Sequence, residues 1–259
     1  MRELILGAVA YDAKVIPIWD GFRAWFAKRG LPFDYVLYTN YERQVEDHVR
    51  GELDVAWNSP LAWLQTVQRN PSARAVAMRD TDRDLTSVVL VRADAPYRAL
   101  PDLRGKRVGV GAGDSPQATL IPLGAFAEAG VDVDAVKHDV LLGKHGDHVG
   151  GERVAVKALL AGDVDAACII DGNRLAFAND GTLPPGSTRV LHHTGAYDHC
   201  NMTVLEHTAA IARFTELLLG MDYADPEARP LLDMEGLTKW LPGRTSGYAL
   251  LERAVKRLA

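Results

Sequence analysis

The stretch that decides the fold is Val108–Thr119, which reads VGVGAGDSPQAT. Its first residues are small or β-branched, which favours a buried strand, and they run into glycines followed by a serine and a proline. Ser115 suits the N-cap of a helix, and Pro116 suits the first turn because a proline there gives up no needed N–H bond. The stretch therefore predicts a strand, a tight corner and a helix in immediate succession.

This corner is a candidate anion site, because backbone N–H groups and the helix dipole meet at the N-terminus of the predicted helix. The hydroxyl groups of Ser115 and Thr119 would add hydrogen-bond donors. The glycine spacing matches neither a P-loop nor a complete dinucleotide fingerprint, since no Gly-Lys-Ser/Thr follows. An ordinary capped helix is the alternative interpretation of the same residues.

Two further corners of this kind precede it in the chain. Trp57–Pro60 (WNSP) follows a short strand, with Ser59 as the helix cap, and Ala10–Lys14 (AYDAK) follows the first apolar run. Strand-length and helix-length apolar patterns alternate between them, which predicts a mostly parallel sheet covered by helices on both faces. Ligands of such sheets bind beyond the carboxyl ends of the strands. Core packing or simple capping is the alternative interpretation for both corners.

The composition excludes several classes of protein. With 259 residues, 47% hydrophobic and 24% charged, the chain has the composition of a globular protein rather than a disordered or fibrous one. Its formal net charge of −5 argues against a nucleic-acid partner. No apolar run reaches the ~18–20 residues of a membrane span, so membrane insertion is not expected. Cys168 and Cys200 are too few for a disulfide framework, and a single bridge stays open.

Chemically reactive side chains concentrate in the second half of the chain. Lys144–His148 (KHGDH) offers two imidazoles and a carboxylate, and His199 stands beside Cys200. The candidate metal ligands are His145, His148 and His199, and the candidate catalytic residues are His145, His199 and Cys200. A closed structural zinc site is not expected, because CxxC and helical HxxxH motifs are absent. No cofactor is expected, and a divalent metal held by separate loops stays open. A ligand-binding loop and a small buried thiol are the alternative interpretations.

Several motifs occur in a fixed order along the chain. They are Gly51–Ala62 (GELDVAWNSPLA), Leu103–Val108 (LRGKRV), Asp114–Leu123 (DSPQATLIPL), Gly143–His145 (GKH), Ala158–Asp171 (ALLAGDVDAACIID) and Met234–Trp240 (MEGLTKW). Together they resemble the phosphate, phosphite and phosphonate substrate-binding proteins of ABC transporters, the PhnD-like branch of the type 2 periplasmic-binding fold. The resemblance covers nearly the whole chain.

The resemblance implies an α/β protein of two lobes with a ligand cleft between them. The family resemblance and the strand-to-helix corners together place nine residues at the ligand: Tyr11, Trp57, Asn58, Ser59, Ser115, Gln117, Thr119, His145 and Asp171. Tyr11 and Trp57 would form the pocket wall. Ser115, Gln117 and Thr119 would hold the oxyanion, and the imidazole of His145 would donate a further hydrogen bond to it. Asp171 would contact a cationic group of the ligand.

The periodicity also predicts individual elements and lobe boundaries. Ile16–Lys28 carries apolar residues at helical spacing, with Gly30 as a stop. From residue 207 the pattern is helical to the C-terminus, with breaks at 225–226 and 242–243. We expect lobe one to hold residues 1–84 and 198–259 and lobe two to hold residues 85–197, with a hinge at the chain crossings.

The function that the resemblance implies is capture of a phosphonate- or phosphate-like oxyanion by hinge closure, with an ABC permease as partner. The alternative is a cytoplasmic enzyme on the same fold that acts on a small anionic substrate with its His and Cys residues, with or without a metal. A ligand-sensing regulatory domain is a third class, and no DNA-binding or signalling segment supports it. A periplasmic or membrane-associated location is expected if a leader was removed, and a cytoplasmic one if Met1 is the native start.

Overall fold

The computed structural model describes residues 2–10, 13, 15–139 and 148–259, the last range with side chains from residue 150 onward. The chain divides into two compact units. Unit 1 comprises Met1–Arg83 and Asp198–Tyr248, and unit 2 comprises Asp84–Tyr197 and Ala249–Ala259. The chain therefore leaves unit 1 after residue 83 and returns to it at residue 198.

Helices and strands alternate through most of the chain. The helices are α1 (Val15–Lys28), α2 (Tyr41–Val49), α3 (Pro60–Arg69), α4 (Ile121–Glu128), α5 (His148–Ala161), α6 (Asn173–Asn179), α7 (Ala209–Leu219), α8 (Arg229–Glu235) and α9 (Ala249–Leu258). The strands are β1 (Leu4–Val9), β2 (Phe33–Tyr38), β3 (Val55–Asn58), β4 (Arg74–Arg79), β5 (Ser87–Arg92), β6 (Arg107–Val110), β7 (Asp134–Lys137), β8 (Ala166–Ile170), β9 (Thr188–His193), β10 (Asn201–Val204) and β11 (Trp240–Pro242). Within the described ranges, none of the helices combines the length and the apolar character needed to cross a membrane.

Unit 1 is built on a mixed sheet whose strands run in the order β11-β4-β10-β3-β1-β2. β1 pairs in parallel with β2 and β3, and β10 pairs antiparallel with β3 and β4. The carboxyl ends of β3 and β4 therefore lie at the same edge of the sheet as the first residue of β10. This arrangement brings Asn58, Arg79 and Asn201 to one edge.

Unit 2 has its own mixed sheet, with strands in the order β7-β6-β8-β5-β9. β6 pairs in parallel with β7 and β8, and β5 pairs antiparallel with β8 and β9. The carboxyl ends of β6, β7 and β8 share an edge. The residues that follow these strands there are Gly111, His138 and Asp171.

The core of unit 1 confirms the predicted first helix. Phe22 and Phe26 of α1 are fully buried, and the Phe26 ring lies 4.9 Å from that of Phe33 on β2. Residues four apart lie on one face of a helix, so the apolar spacing of this segment faces the sheet. The helix ends before Gly30, whose φ of +74° favours glycine.

Helix α9 packs in unit 2, whereas the boundaries from the sequence put residues 249–259 with lobe one. The approach between α9 and α4 is close, since a Cβ on Gly124 would lie 2.5 Å from the Cβ of Ala254. Arg257 pairs with Glu128 of α4 at 3.2 Å. The local pattern predicts the helix itself, but only these long-range contacts show which core it covers.

Strand β11 corrects the prediction that the chain is helical between its breaks at 225–226 and 242–243. Trp240 is 1% exposed, and its ring packs edge-on against Phe22 at 6.3 Å and Trp57 at 5.7 Å. The strand is too short to show a period of its own, and its pairing with β4 makes it a strand. Helical structure is present as predicted in α7, α8 and α9.

Candidate functional site

The corner after β6, at residues 111–119 of unit 2, folds back against the helix that follows it. The Gly111 N–H donates to the Ala118 carbonyl at 3.3 Å. Ala118 is available as an acceptor because Pro122, four residues on, has no N–H to donate. A Cβ on Gly111 would lie 2.9 Å from that of Ala118, so this approach requires glycine. The first turn, Pro116–Leu120, is π-helical rather than α-helical, and α4 follows it.

The three predicted anion ligands of this corner, Ser115, Gln117 and Thr119, are all buried. Ser115 Oγ accepts the Ala118 N–H at 3.2 Å, which confirms its predicted capping role. That bond leaves the hydroxyl hydrogen of Ser115 able to donate to an anion. Thr119 Oγ1 donates to the Ala112 carbonyl at 2.7 Å, so its hydrogen serves the corner itself. Ser115 is therefore the better placed of the two hydroxyl donors.

Gln117 joins the corner to a buried network that the sequence analysis missed. The main-chain carbonyl of Gln117 accepts a hydrogen bond from the Ser87 hydroxyl at 2.6 Å. Ser87 Oγ also lies 2.7 Å from the Tyr197 hydroxyl. Burial raises the pKa of Tyr197, so the phenol stays neutral. Thr194 Oγ1 accepts the Ser87 N–H at 2.9 Å. A serine at the start of the apolar strand β5 was the available signal for this network.

Two carboxylates lie at the carboxyl end of β8. Asp171 follows the strand directly, is 36% exposed at its side chain and pairs with Arg174 at 2.9 Å. Glu152 of α5 is fully buried and accepts hydrogen bonds from the Ile170 N–H at 3.0 Å and from Asn173 Nδ2 at 2.8 Å. The sequence analysis found Asp171 but missed Glu152, because an acid within a helical pattern is usually solvated.

The WNSP corner of unit 1, residues 57–60, is closed by its own hydrogen bonds. Asn58 is fully buried; it accepts from Gln44 Nε2 at 2.8 Å and donates to Thr203 Oγ1 at 2.9 Å and Thr66 Oγ1 at 3.3 Å. Ser59 caps α3 by accepting a backbone N–H at 3.3 Å. Both side chains have a structural role here, and their contacts with a ligand stay predictions.

Arg79, at the end of β4, is the charged group beside this corner. Its guanidinium lies 5.2 Å from the ring centre of Trp57, which is itself 9% exposed. Arg79 donates hydrogen bonds of 2.6 and 2.9 Å to Asp82, one of 3.3 Å to the Glu235 carboxylate and one of 2.9 Å to the Glu235 main-chain carbonyl. Burial opposes the charge of Arg79, but the two carboxylates outweigh it and raise its pKa. The guanidinium therefore stays charged. The signal for Arg79 in the sequence was a cation at the end of an otherwise apolar run.

His199 and Cys200 come together with Asp82 near the same edge. His199 Nδ1 lies 3.1 Å from Cys200 Sγ and 3.6 Å from Asp82 Oδ1. Burial, and then the charge of Asp82, raise the pKa of Cys200 well above its usual range. A neutral thiol is a poor nucleophile, so this environment does not favour Cys200 as a catalytic residue. Both cysteines are free, which excludes the bridge that the sequence left open.

Three of the predicted residues cannot be placed. Tyr11 and His145 lie outside the described residues, as does the side chain of His148. The pocket-wall role of Tyr11, the anion contact of His145 and the metal group of His145, His148 and His199 therefore stay predictions. The ligand cleft between the lobes also stays a prediction.

Residues 9–248 match the protein family described as "ABC transporter, phosphonate, periplasmic substrate-binding protein". A curated relative is the probable ABC transporter phosphite binding protein PhnD1 of Prochlorococcus marinus (strain MIT 9301). It is 22% identical over 239 residues, which cover 86% of this chain and 78% of the relative.

Solved structures show the same fold. PhnD1 from Prochlorococcus marinus (MIT 9301), in complex with methylphosphonate, has a TM-score of 0.74 at 18% identity and covers 98% of this chain and 97% of its own. XAC2383 from Xanthomonas citri, bound to ATP, has a TM-score of 0.78 at 17% identity and covers both chains completely, at 100%. These likenesses confirm the predicted α/β, two-lobe periplasmic-binding fold.

Proposed function

We propose that this chain binds a small phosphonate- or phosphate-like oxyanion. The premise is that it belongs to the family of periplasmic phosphonate substrate-binding proteins of ABC transporters. Two findings on a relative support this ligand class. PhnD1 is named for phosphite binding, and its solved structure holds methylphosphonate. The function follows from family membership together with one feature of this chain, the corner after β6.

The observation that carries the proposal is the chemistry of this corner. The buried Ser115 hydroxyl can donate to an anion, and it stands at the start of the helical segment that leads into α4. The N-terminal end of a helix carries a partial positive charge, which favours an anion. Lys137 adds a full charge: its Nζ lies 3.7 Å from the position that a Cβ on Gly113 would occupy. Asp139, whose carboxylate accepts the Gly113 N–H at 3.3 Å, adds a negative charge at the same corner, so the attraction for an anion rests on the helix N-terminus, Ser115 and Lys137.

The acidic end of β8 supports a ligand that also carries a cation. Asp171 is partly exposed, and Glu152 adds a second negative charge close to the same strand end. A carboxylate favours an ammonium group at hydrogen-bond distance. An aminoalkylphosphonate, with an anion at one end and a cation at the other, has the matching charge pattern.

Delivery of the ligand to an ABC permease, and a periplasmic place of action, complete the proposal. Both rest on family membership, since substrate-binding proteins of this family serve ABC transporters. The enzyme alternative gains no support from the described residues. Cys200, its candidate nucleophile, lies in an environment that keeps the thiol protonated.

The test is calorimetric titration of the full chain with a panel of ligands. The panel holds methylphosphonate, phosphite, phosphate, 2-aminoethylphosphonate, ethanesulfonate and acetate. We expect saturable one-site binding of at least one phosphorus oxyanion, with affinity at least tenfold above that for the sulfonate and the carboxylate. In a parallel thermal-shift assay, a ligand at 100 times its Kd adds about 2.7 kcal/mol to the free energy of unfolding. Equal or absent binding across the panel would overturn the proposal.

A further inference from the structure

Three side chains of unit 1 bring metal-ligating atoms together at the edge of its sheet. Asp82, His199 and Cys200 each offer one such atom, and these atoms all lie within 4.8 Å of one another. The Nδ1 of the histidine is 3.1 Å from the sulfur and 3.6 Å from a carboxylate oxygen. Zinc bonds of about 2.0–2.3 Å in a tetrahedral site place ligand atoms roughly 3.3–3.8 Å apart, so the sulfur and the carboxylate oxygen, at most 4.8 Å apart, need to approach by no more than about 1.5 Å.

From this geometry we propose that Asp82, His199 and Cys200 form a zinc site. A thiolate, an imidazole and a carboxylate are the three ligand types that zinc uses in proteins, and the mixed set disfavours magnesium and calcium, which prefer oxygen ligands. The three side chains are 2%, 18% and 7% exposed. Such burial excludes most competing water, and the partly open histidine side gives the ion a route of entry.

The charges of the surrounding residues fit a divalent cation. Asp82 and Glu235 contribute two negative charges, and Arg79, bonded to both, contributes one positive charge. The side chains of Asp82, Glu235 and Arg79 together carry a net charge of −1. Zinc binding releases one proton from the thiol to solvent and brings the net charge to zero. A divalent cation at this place therefore meets net negative charge from these three side chains.

Arg79 does not block the carboxylate ligand. Its guanidinium donates one hydrogen bond to each oxygen of Asp82. An ionised carboxylate has about four lone-pair sites, so two remain for further contacts. The oxygen nearer His199 can therefore bind zinc while Arg79 holds the carboxylate in place. An outer partner of this kind orients a metal ligand in many sites.

The position of the ligands suggests what the ion would do. Asp82 stands at the end of the segment by which the chain leaves unit 1, and His199 and Cys200 stand where it returns. The two segments already share a hydrogen bond of 2.8 Å from the His199 N–H to the Asp82 carbonyl. A zinc ion would tie together the outgoing and returning segments, and it would restrain two of the three places at which the chain passes between the units.

The test uses the full chain, stripped of metal under reducing conditions. Zinc is titrated against a chromophoric chelator, and Co²⁺ is then added as a spectroscopic probe. We expect one zinc per chain and a Co²⁺ spectrum with the near-ultraviolet charge-transfer band of a thiolate ligand. Cys200→Ala and His199→Ala should each weaken zinc binding by roughly 100-fold or more, because loss of a direct ligand exceeds the 10–100-fold cost of losing an outer partner.

The chain provides a matched control in its second cysteine. Cys168→Ala should retain both zinc and the thiolate band, since Cys168 is equally buried but lies in unit 2. Cys200→Ser provides a smaller change if Cys200→Ala unfolds, and tryptophan fluorescence checks folding. The proposal would be overturned if the wild type binds less than one zinc, if the thiolate band is absent or survives Cys200→Ser, or if zinc is lost instead from the double variant His145→Ala/His148→Ala.

Discussion

At the corner after β3, in unit 1, Ser59 caps a helix that begins with a proline, and at the corner after β6, in unit 2, Ser115 does the same. The caps are alike in geometry, with backbone N–H groups donating at 3.3 and 3.2 Å. Their surroundings differ. Residues 57–60 of the first corner are all buried, whereas the second opens at Gly113, which is exposed.

The difference comes from the residues that precede each cap. In unit 1 the amide of Asn58 bonds to α2, α3 and β10, so the corner is closed by side chains of its own unit. In unit 2 the same place is taken by Gly113 and Asp114. Main-chain bonds, the Thr119 hydroxyl and the Asp139 carboxylate stabilise this corner, and none of the described residues accepts the Ser115 hydroxyl hydrogen. A capping motif thus determines where a helix starts, and the residues before it determine whether the corner can face a ligand.

The largest expected effect is on the closed corner. Asn58→Ala should lower the free energy of unfolding of unit 1 by roughly 3–4 kcal/mol, because it deletes three buried hydrogen bonds and leaves a cavity in place of the amide. The five tryptophans all lie in unit 1, so denaturant titration followed by tryptophan fluorescence measures this unit directly.

Asn40→Ala is the matched control for that variant. Asn40 caps α2 from an exposed position by accepting a backbone N–H at 2.9 Å. Loss of such a cap costs about 1 kcal/mol. Equal losses for the two variants would show that the network around Asn58 contributes no more than a surface cap.

Lowering the pH should destabilise the same unit through His48, which lies one helical turn after Gln44 on α2. Burial lowers the pKa of His48 to about 4, and the unfolded chain binds this proton near pH 6.5. Between these values the unfolded state holds more protons, so the free energy of unfolding falls as pH decreases, by up to about 3 kcal/mol at pH 4. Above pH 6.5 this contribution is complete and constant.

Fluorescence-detected denaturation at pH 7 and pH 5 measures the effect. His48→Leu should remove it, whereas His193→Leu, at an exposed histidine of unit 2, should leave it in place. If His48→Leu shows the same loss of stability between the two pH values as the wild type, the buried histidine is not its source.

The two serines give the sharpest comparison. Ser59→Ala and Ser115→Ala should each cost about 1 kcal/mol of stability, because each removes one helix cap. Only Ser115→Ala should also weaken methylphosphonate binding, by about tenfold, since a hydrogen bond to an anion is worth roughly 1.5 kcal/mol or more. Calorimetry on both variants separates the effects. An equal loss of affinity for Ser59→Ala would show that both corners contact the ligand.

The smallest expected effect concerns Asp171. Asp171→Asn should reduce the affinity for 2-aminoethylphosphonate about fivefold relative to methylphosphonate, because a partly exposed ion pair is worth up to about 1 kcal/mol. Its existing pair with Arg174 limits the gain from a ligand ammonium. The ratio of the two dissociation constants is the measurement, and an unchanged ratio would remove the cationic contact from Asp171.

Much of the fold could be predicted, because it depends on periods that are local in the chain. The α1 helix follows from apolar residues four apart, and the corners follow from glycine, serine and proline at strand ends. Strand β11 and the placement of α9 could not be predicted. The first is too short to carry a period, and the second depends on a contact between Gly124 and Ala254.

The candidate site divides in the same way. Ser115 and Asp171 were found because each stands at the end of a predicted strand, where ligands of such sheets bind. Ser87, Tyr197 and Glu152 were missed, because a polar residue gains meaning only from a partner distant in sequence. Tyr11 and His145 stay predictions from the family resemblance.

By itself the sequence determined the alternation of strands and helices, the serine–proline corners and the family, since all of these are written in local patterns and their order. Only the tertiary structure decided which polar groups are already satisfied. In the folded chain Asn58 donates a hydrogen bond to Thr203. Asp82 likewise lies beside His199 and Cys200, which are more than a hundred residues away in sequence. The physical reason is that hydrogen bonds and ligand geometry depend on distances of a few ångströms, which strand pairing across the chain sets and local sequence does not.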